Sequence, residues 1–553
     1  MKLRGADIIV ECLIEQGVEY VFGYPGGQII DTFDALFQRK DRIKQILTAH
    51  EQGATHAADG YARVTGRTGV VMATSGPGAT NTVTGIANAY MDSVPMVVIT
   101  GNVSVSLLGR DSFQEVDIAG ITMPVTKHNY IVKDVNALAG TIREAFKIAQ
   151  SGRPGPVLID VPKDVQQAQC EYEPVIPAPA AHKFTADPES VKRAVKIIED
   201  AKKPLLYIGG GCIISDASKE LKEFCELIDA PLASSMMGLG ALPASHRLYL
   251  GMIGMHGYAG VARALKECDT VIAVGARFSD RVASNRDKFA RHAAIVHIDI
   301  DNAEIDKNVA SHAHIMGDVK QVLAHLMPLL TQKKRDAWVK ECRGYVDAFP
   351  LKRCGTRLCA RYLLERLNAL TPPGQIIVTD VGQHQMWTAQ SYRFERPRTF
   401  ITSGGLGTMG FGLGAAIGAA FASKRRVCLI SGDGSFHMNL NELATAVKFN
   451  LPVVIFVMNN RTLGMVRQWQ TLFYGRRYSS TSLDLKTDYV KLAEAFGAKG
   501  FVLDADGDVD AVIGAALKEN GPVLIECRIN TDEFVLPMVP PGKSTDEIIT
   551  DLE

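Results

Sequence analysis

The sequence lacks the features that mark several specialised classes of protein. Its ten cysteines include no Cys-x-x-Cys pair, which argues against a zinc knuckle and against a thioredoxin-like redox motif. Lysine plus arginine and aspartate plus glutamate both number 60. No excess of positive charge would therefore draw the chain to nucleic acid or to an anionic membrane.

No stretch of the chain is apolar over the length that a membrane requires. The longest apolar run, LPVVIFVM at 451–458, is far shorter than the roughly 20 residues that span a bilayer. The first residues, MKLRGADIIVECLIEQG, lack the apolar core and the cleavage site of a signal peptide. We therefore expect a cytoplasmic protein with reduced thiols, and neither a nucleic acid nor a membrane as its partner.

Short β-branched apolar runs recur along nearly the whole chain, and helical patterns separate most of them. Examples are PVLIDVPKD, AIVHIDID and RVCLISGDG, each ending in glycine or a polar residue. Unbroken apolar strands that alternate with helices indicate parallel sheets covered on both faces. The pattern predicts an α/β protein built from three doubly wound parallel-sheet domains. A length of 553 residues, at about 100–200 residues per domain, supports this number of domains.

Two breaks in this pattern give the predicted domain boundaries. The stretch 171–190 is rich in proline and unpatterned, and 330–357 is a charged helical stretch without a strand. The predicted domains are therefore 1–170, 190–340 and 355–553.

Asp433 and Asn460 are the first candidate ligands. Asp433 stands in a Gly-Asp-Gly turn after one apolar strand, and Asn460 ends the next strand after a single crossover helix. One carboxylate and one amide oxygen suit Mg²⁺, which takes few protein ligands and fills its shell with water and phosphate oxygens. Gly-Asp-Gly alone is typical of an ordinary turn. The paired asparagines one crossover later favour a Mg²⁺–diphosphate clamp.

This Gly-Asp-Gly and Asn-Asn pattern resembles the cofactor motif of thiamine-diphosphate enzymes. HEQGATHAADGYAR, which contains Glu51, and SGPGATN at 75–81 resemble the pyrimidine-binding domain of that family. Further motifs are similar to those of the catalytic large subunit of acetohydroxyacid (acetolactate) synthases: FGYPGG, FQEVDIAGIT, SGRPGPVLIDVPKDV, GARFSDRV, VGQHQMW, SGGLGTMGFG and LGMVRQWQ. The resemblance covers the whole chain. It implies a pyrimidine-binding first domain, a central FAD-binding domain and a diphosphate- and Mg²⁺-binding third domain.

The resemblance implies a reaction and a set of catalytic residues. Pyruvate would be decarboxylated, and the hydroxyethyl unit transferred to pyruvate, giving 2-acetolactate, or to 2-oxobutyrate, giving 2-aceto-2-hydroxybutyrate. Glu51 would activate the coenzyme through its aminopyrimidine ring, Gln114 and Phe113 would line the reacting centre, and Met409 would lie beneath the coenzyme. Trp469 would favour the larger acceptor. Without the resemblance, a lone methionine or tryptophan is more often a core residue.

The resemblance also implies the residues that bind thiamine diphosphate, Mg²⁺ and FAD. The metal ligands would be Asp433, Asn460 and the backbone carbonyl of Thr462. Thiamine diphosphate would be bound by Gly26, Glu51, Pro77, Asn81, Val381, Gly382, Gln383, His384, Gly407, Met409, Gly432, Asp433, Gly434, Ser435, Asn460, Gly464 and Met465. FAD would be bound by Arg153, Gly209, Gly210, Gly211, Met255, His256, Gly275, Arg277, Arg281, Asp299, Ile300 and Asp318. Because the reaction has no net redox change, the flavin would be structural.

In this family one coenzyme bridges the first domain of one subunit and the third domain of another. The resemblance therefore implies a homodimer or homotetramer. The sequence leaves open which of these forms, whether a regulatory small subunit binds, and how strongly 2-oxobutyrate is preferred. The alternative is another FAD-containing thiamine-diphosphate carboligase, decarboxylase or oxidase that acts on 2-keto acids.

Overall fold

Three six-stranded parallel sheets form the core of the protein in a computed structural model, which describes residues 1–177, 187–352, 358–504 and 507–551. Helices pack on both faces of each sheet, so the predicted α/β class with doubly wound sheets is confirmed. Part of the predicted linker, 178–186, and the predicted third-domain start at 355 lie outside the described residues. The domain boundaries therefore stay predictions.

The first sheet has the strand order β3-β2-β4-β5-β7-β6, and a separate antiparallel pair joins β1 to β8. Its strands are β1 (Lys2–Arg4), β2 (Tyr20–Tyr24), β3 (Lys44–Leu47), β4 (Gly69–Ala73), β5 (Met96–Asn102), β6 (His128–Ile131), β7 (Pro156–Pro162) and β8 (Gln169–Glu171). Its helices are α1 (Gly5–Glu15), α2 (Ile30–Gln38), α3 (Glu51–Thr65), α4 (Pro77–Thr80), α5 (Val83–Met91), α6 (Ile118–Thr122), α7 (Val135–Gln150) and α8 (Lys163–Gln167).

The middle sheet has the order β11-β10-β9-β12-β13-β14. Its strands are β9 (Pro204–Ile208), β10 (Leu232–Ser234), β11 (Tyr249–Met252), β12 (Thr270–Val274), β13 (Ala294–Asp299) and β14 (Ala313–Met316). The helices of this part are α9 (Pro188–Asp200), α10 (Gly211–Ile214), α11 (Ser218–Leu227), α12 (Ala259–Glu267), α13 (Val319–Leu326) and α14 (Asp336–Ala348). Numbered along the chain within this sheet, the strands follow the order 3-2-1-4-5-6. This is the doubly wound strand order of dinucleotide-binding domains.

The third sheet has the order β16-β15-β17-β18-β20-β19. Its strands are β15 (Ile376–Thr379), β16 (Phe400–Ile401), β17 (Val427–Gly432), β18 (Val453–Asn459), β19 (Lys499–Leu503) and β20 (Val523–Arg528). Its helices are α15 (Ala360–Leu370), α16 (Gln383–Ser391), α17 (Phe411–Ser423), α18 (Asp433–Asn439), α19 (Leu443–Lys448), α20 (Gly464–Phe473), α21 (Tyr489–Phe496) and α22 (Val509–Ala516).

The first and third sheets share one topology. Numbered along the chain within each sheet, their parallel strands both follow the order 2-1-3-4-6-5. In open parallel sheets ligands bind beyond the carboxyl ends of the strands where the winding direction reverses. This switch point lies between β2 and β4 in the first sheet, between β15 and β17 in the third, and between β9 and β12 in the middle one.

The crossover between β17 and β18 differs from the single helix that the sequence predicts. Helix α18 ends at Asn439, a 3₁₀ turn spans Leu440–Glu442, and α19 then begins at Leu443. Glu442 leaves this turn towards the first domain and accepts hydrogen bonds from its backbone. A contact between domains thus interrupts the helix, and helical periodicity in the sequence does not report it.

Helices α3 and α17 join the first and third domains at very close range. A Cβ atom at Gly60 would lie 2.1 Å from Ala415 O, and one at Gly418 would lie 1.8 Å from Ala57 O. Only glycine fits at these crossings, since real Cβ atoms do not approach a carbonyl oxygen so closely. This contact holds the middle of α3, the helix that begins at Glu51, against the third domain.

His56, on α3, is buried against the third domain, with its ring centroid 5.2 Å from that of Phe411. Burial lowers the pKa of His56 to about 3, so the folded chain keeps the imidazole neutral where the unfolded chain protonates near 6.5. Below about pH 6.5 the unfolded state binds one proton more at this group than the folded state does. The free energy of unfolding therefore falls by about 1.4 kcal/mol for each unit by which the pH is lowered. We expect His56→Gln to flatten the acid side of the pH–stability curve by this amount. Urea unfolding between about pH 7 and about pH 5 measures it; an unchanged slope would contradict it.

The last part of the chain returns to the middle domain after β20. Val539 N donates to Met255 O at 2.7 Å, and Gly542 N donates to Ser284 Oγ at 2.8 Å. The nine cysteines of the described residues are all buried. Among the described helices, none combines the length and the apolar character that crossing a bilayer demands.

Candidate active site

Three loops at the switch point of the third sheet form one cluster, which we call the third-domain pole and define as residues 381–384, 432–435 and 460–465. Gly432 at the end of β17 pairs with Met458 on β18, so Asp433 and Asn460 leave the same edge of the sheet. Ser435 Oγ donates to Val381 O at 3.0 Å and ties the loop after β15 to the start of α18. The structure thus brings together the residues on which the predicted Mg²⁺–diphosphate clamp depends.

Asp433 has the electrostatics of a cation ligand. Its side chain is buried, Oδ1 accepts from Gly434 N at 3.0 Å, and Oδ2 has no hydrogen-bond partner in the described part of the chain. Burial raises the pKa of Asp433 to about 6, against the lowering effect of nearby backbone N–H groups that include Arg461. A buried carboxylate oxygen without a partner is costly unless a cation joins it.

Asn460 is held by its neighbours in a defined orientation. Its Nδ2 donates to Gln383 Oε1 at 3.2 Å, and its Oδ1 accepts from Thr462 N at 3.2 Å. A Cβ atom at Gly464 would lie 1.9 Å from Gln383 Oε1 and 2.7 Å from Asn460 Nδ2, so a side chain there would displace both amide groups. Gln383, Asn460, Thr462 and Gly464 therefore form one packed group.

His384 fills the space beneath the two glycine turns. A Cβ atom at Gly382 would lie 2.9 Å from His384 Cε1, and one at Gly432 would lie 2.9 Å from His384 Nδ1. Burial lowers the pKa of His384 to about 3, so the ring is neutral. The ring packs against both turns, and a side chain at either glycine would collide with it.

Met409 extends towards the third-domain pole from the loop before α17. Its Cε would lie 3.8 Å from a Cβ atom placed on Gly434. Trp469, on α20, has its ring centroid 6.0 Å from that of Phe473, and its Nε1 has no partner in the described part of the chain. Gly407, Met409, Met465 and Trp469 all line one large cavity together with Val381 and Gly382.

Glu51 lies in a second cluster, which we call the first-domain pole and define as residues 26, 51, 75–81, 113 and 114. Glu51 is buried at the start of α3, and its Oε2 accepts from Asn81 Nδ2 at 2.9 Å. A Cβ atom at Gly78 would lie 3.2 Å from Glu51 Oε1, and one at Gly26 would lie 2.6 Å from Thr74 Cβ. Pro77 begins α4 one residue before Gly78.

Gln114 and Phe113 complete the first-domain pole. A Cβ atom at Gly76 would lie 3.0 Å from Gln114 Cα, and Gln114 has a φ of +60°. Phe113 is 84% exposed, which is unusual for a phenylalanine. An exposed ring beside a tightly packed polar cluster is typical of a surface that a ligand or another chain covers.

The large cavity at the third-domain pole does not extend to the first-domain pole of the same chain. Glu51, Gln114 and Phe113 are absent from the lining of the cavity that Met409 and Trp469 share. Within the described residues, no hydrogen bond joins a side chain of the first-domain pole to one of the third-domain pole.

The twelve predicted flavin residues all line the same cavity, whose volume is about 940 Å³, at the upper end for small-molecule sites. Asp299 is buried at the end of β13, and burial raises its pKa. In the described part of the chain, His256 Nδ1 has no hydrogen-bond partner, and Arg277 and Arg281 line the cavity. An unpaired imidazole nitrogen and basic residues around so large a space fit a polar, anionic ligand.

The Gly209–Gly211 turn has a packing reason that the sequence does not reveal. A Cβ atom at Gly209 would lie 2.3 Å from Gly275 O, and one at Gly211 would lie 2.7 Å from Gly275 Cα. These glycines are required where β9 and β12 end side by side, whether or not a diphosphate approaches them. Arg153 reaches the same cavity from the first domain and pairs with Asp301 Oδ2 at 3.0 Å.

Sequence reasoning missed two groups that support these residues. Gln468, fully buried on α20, accepts from Gln383 Nε2 at 3.0 Å and from Val535 N at 2.8 Å. Asp92 accepts from Gly404 N at 2.9 Å and Gly405 N at 2.7 Å, which holds the loop leading to Gly407. Gln468 lies within the motif LGMVRQWQ and could have been considered, whereas Asp92 follows a helix with no local signal.

Comparisons with known proteins identify the family to which the chain belongs. Three family models match in order: the thiamine pyrophosphate enzyme N-terminal TPP binding domain over 3–121, the central domain over 191–326, and the C-terminal TPP binding domain over 380–527. The chain is 46% identical to an acetolactate synthase of Mycobacterium bovis, covering 99% of this chain and 91% of the relative. It is 45% identical to the acetolactate synthase isozyme 2 large subunit of Escherichia coli over the full length of both chains. It is 44% identical to a probable acetolactate synthase large subunit of Methanocaldococcus jannaschii, and the match covers 99% of this chain and 95% of the relative.

Proposed function

The chain belongs to the acetolactate synthase large-subunit family of thiamine pyrophosphate enzymes, and on that premise we propose that it forms 2-acetolactate from two molecules of pyruvate. With 2-oxobutyrate as acceptor it forms 2-aceto-2-hydroxybutyrate. The observation that carries the proposal is the unpaired, buried Oδ2 of Asp433 at the sheet edge that it shares with Asn460.

The third-domain pole fits Mg²⁺ and a diphosphate. Asp433 and the Asn460 amide would supply hard oxygen atoms and the Thr462 carbonyl a third, and phosphate and water oxygens would provide the remaining ligands. Among the described residues no cluster of three or more His, Cys, Asp or Glu side chains could hold a metal. A low count of protein ligands is what Mg²⁺ bound to phosphate requires.

Bound thiamine diphosphate would supply the electron sink for decarboxylation and carbon–carbon bond formation. The Glu51 carboxylate would hold a proton in exchange with the ring nitrogen of the aminopyrimidine, and Asn81 would orient that carboxylate through its 2.9 Å hydrogen bond. Met409 would support the coenzyme between its two ends. Phe113 and Gln114 would exclude water from the reacting carbon atoms and orient the keto acid.

A second copy of the chain would bring the two poles together. The cavity lined by Met409 and Trp469 includes no residue of the first-domain pole. Phe113 at one pole is 84% exposed, and Leu406 near the other is 43% exposed. We infer a homodimer in which the first-domain pole of each chain faces the third-domain pole of its partner. The E. coli and M. jannaschii relatives are named large subunits, which supports a separate small subunit as a further partner.

FAD fits the cavity between the domains. The guanidinium groups of Arg277 and Arg281 would bind its phosphates, the Asp299 carboxylate at the end of β13 a ribose, and His256 Nδ1 a polar atom of the ligand. Because the proposed reaction has no net redox change, its role would be structural.

Product analysis tests the proposed function. Purified chain is incubated with pyruvate, with and without thiamine diphosphate and Mg²⁺, and carbon dioxide and acid-released acetoin are measured. We expect both to form only with the coenzyme. Carbon dioxide without acetoin would indicate a decarboxylase or an oxidase instead, and no product would contradict the proposal.

Trp469 is expected to set acceptor preference. We expect Trp469→Leu to lower the preference for 2-oxobutyrate over pyruvate by about tenfold or more, because the indole would pack against one extra methylene, worth roughly 1–3 kcal/mol. A competition assay with both acceptors and quantified products measures the ratio. Phe473→Leu, at the T-shaped neighbour of the indole, is the control, expected to change the ratio less. An unchanged ratio in Trp469→Leu would remove Trp469 from the specificity site.

A further inference from the structure

Glu442 is a buried acid without an assigned role, at the interruption between α18 and α19. Its side chain is completely buried. Oε1 accepts from His50 N at 2.9 Å and from Ala49 N at 3.2 Å. Oε2 accepts from Thr445 Oγ1 at 2.7 Å and from Ala49 N at 3.2 Å. A third-domain carboxylate therefore binds the two backbone N–H groups that directly precede Glu51.

No cation neutralises Glu442 in the described part of the chain. Burial raises the pKa of Glu442, and the negative charge of nearby Glu51 raises it further. A carboxylate buried without a cation is costly unless hydrogen bonds compensate it, and an apolar side chain of similar volume would fill the same space. Only an acceptor can satisfy the N–H groups of Ala49 and His50 at this buried position.

The start of α3 is shaped around this contact. A Cβ atom at Gly53 would lie 2.0 Å from Glu442 Oε1, so the third residue of the helix must be glycine for the carboxylate to enter. His50 in turn caps the helix, since its Nδ1 accepts from Gln52 N at 3.1 Å. The backbone on both sides of Glu51 is thereby fixed.

We propose that Glu442 is a positioning residue that holds the first turn of α3, so that Glu51 meets the coenzyme ring at the right distance and angle. The inference rests on the proposed function. It adds that an acid of the third domain sets the geometry of the activating acid in the first domain. Glu442 touches neither the coenzyme nor the substrate in this account.

The test separates the geometry that Glu442 provides from its charge. Glu442→Gln keeps one carbonyl oxygen facing the N–H groups of Ala49 and His50 and turns its amide towards Thr445 Oγ1. Glu442→Leu fills the space but accepts no hydrogen bond. We expect the glutamine variant to behave nearly as wild type, and the leucine variant to activate the coenzyme about ten- to hundredfold more slowly, because small misplacements at a reacting centre cost this much.

Two readouts other than turnover report the expected change. The first is the rate of hydrogen–deuterium exchange at C2 of thiamine diphosphate, measured by proton NMR after acid quenching at saturating coenzyme. The second is amide exchange in the peptide that contains Ala49 and His50, measured by mass spectrometry on coenzyme-free protein. In Glu442→Leu both amides should lose protection and C2 exchange should slow. In Glu442→Gln, neither the amide protection nor the rate of C2 exchange should change greatly.

Two further variants keep the proposal open to contradiction. Gly53→Ala retains the carboxylate but displaces it, so it should slow C2 exchange although alanine is the better helix former. Thr445→Val removes a partner of Glu442 that does not belong to the first domain, so C2 exchange should be unchanged. If Glu442→Leu does not fold, the rate of C2 exchange in Gly53→Ala tests the proposal.

Three outcomes would overturn the proposal. They are wild-type C2 exchange in both Glu442→Leu and Gly53→Ala, an equal loss in Glu442→Gln and Glu442→Leu, and a loss in Thr445→Val as large as in Glu442→Leu. If the wild-type chain itself showed no C2 exchange beyond that of free coenzyme, the proposed function would be wrong instead.

Discussion

Glu51→Gln is expected to lower the rate of acetolactate formation by about 10²- to 10⁴-fold, the range that a positioned acid or base contributes. The glutamine side chain has the same shape and can still accept from Asn81 Nδ2, as Glu51 does at 2.9 Å. It cannot hold a proton in exchange with the aminopyrimidine ring. Because the third-domain pole is unchanged, the affinity for thiamine diphosphate should fall much less than the rate. Steady-state kinetics at saturating coenzyme, with a separate binding titration, measure both quantities.

Glu144→Gln is the matched control for this variant. Glu144 lies on α7 of the same domain and pairs with Lys147 on the surface, with its side chain 48% exposed. Its replacement should leave both rate and affinity unchanged. Turnover of Glu51→Gln equal to that of wild type would show that Glu51 does not relay the proton.

Asp433→Asn is expected to weaken Mg²⁺-dependent coenzyme binding and to stabilise the coenzyme-free chain. Loss of one charged ligand should weaken binding about ten- to hundredfold, since hydrogen bonds and contacts to charged groups are worth roughly 1.5–3 kcal/mol. Without a cation, Asp433 has a pKa raised to about 6 by burial, so its ionisation above that pH opposes folding. At about pH 8 the amide should raise the free energy of unfolding by roughly 2–3 kcal/mol. Coenzyme titrations at several Mg²⁺ concentrations and urea unfolding measure the two effects.

Asp380→Asn shows whether such stabilisation is general for buried acids of this sheet. Both oxygens of Asp380 have partners, Gly412 N at 3.0 Å and Ser431 Oγ at 2.7 Å. An amide can keep both hydrogen bonds, with its oxygen accepting from Gly412 N and its nitrogen donating to Ser431 Oγ. Burial also raises the pKa of Asp380, so Asp380→Asn should stabilise the chain at about pH 8 as well, but with unchanged Mg²⁺ dependence. Lower stability in Asp433→Asn, with unchanged Mg²⁺ dependence, would mean that Asp433 is a structural residue.

The fold could be predicted from the sequence because its strands are buried on both faces. A strand such as RVCLISG reads as an unbroken apolar run, and the glycine or polar residue after it marks the carboxyl end where ligands bind. The sequence did not contain the strand order. The shared order of the first and third sheets depends on contacts between strands that are distant in the chain.

The candidate site was predictable to the extent that its residues follow strands directly. Asp433 and Asn460 end neighbouring strands, and the structure places them at one edge. Gln468, Asp92 and Glu442 hold site residues through contacts between distant segments, so no local pattern reveals them. In the Gly209–Gly211 turn, by contrast, a local pattern is visible but has a second explanation. Glycines that favour a diphosphate site are already required there by close packing against Gly275.

One measurement tests the central claim, that Glu51 of one chain and Asp433 of its partner act on the same coenzyme. Glu51→Gln and Asp433→Asn chains are mixed, dissociated and reassociated in equal amounts, and mixed dimers are confirmed by native mass spectrometry. Activity is measured at a coenzyme concentration that saturates wild type but at which each variant alone is nearly inactive. Each mixed dimer should contain one site with both defects and one with neither. Activity should therefore recover to about a quarter of wild type. Mixed dimers with no recovered activity would place both residues in the same chain's site and contradict the account.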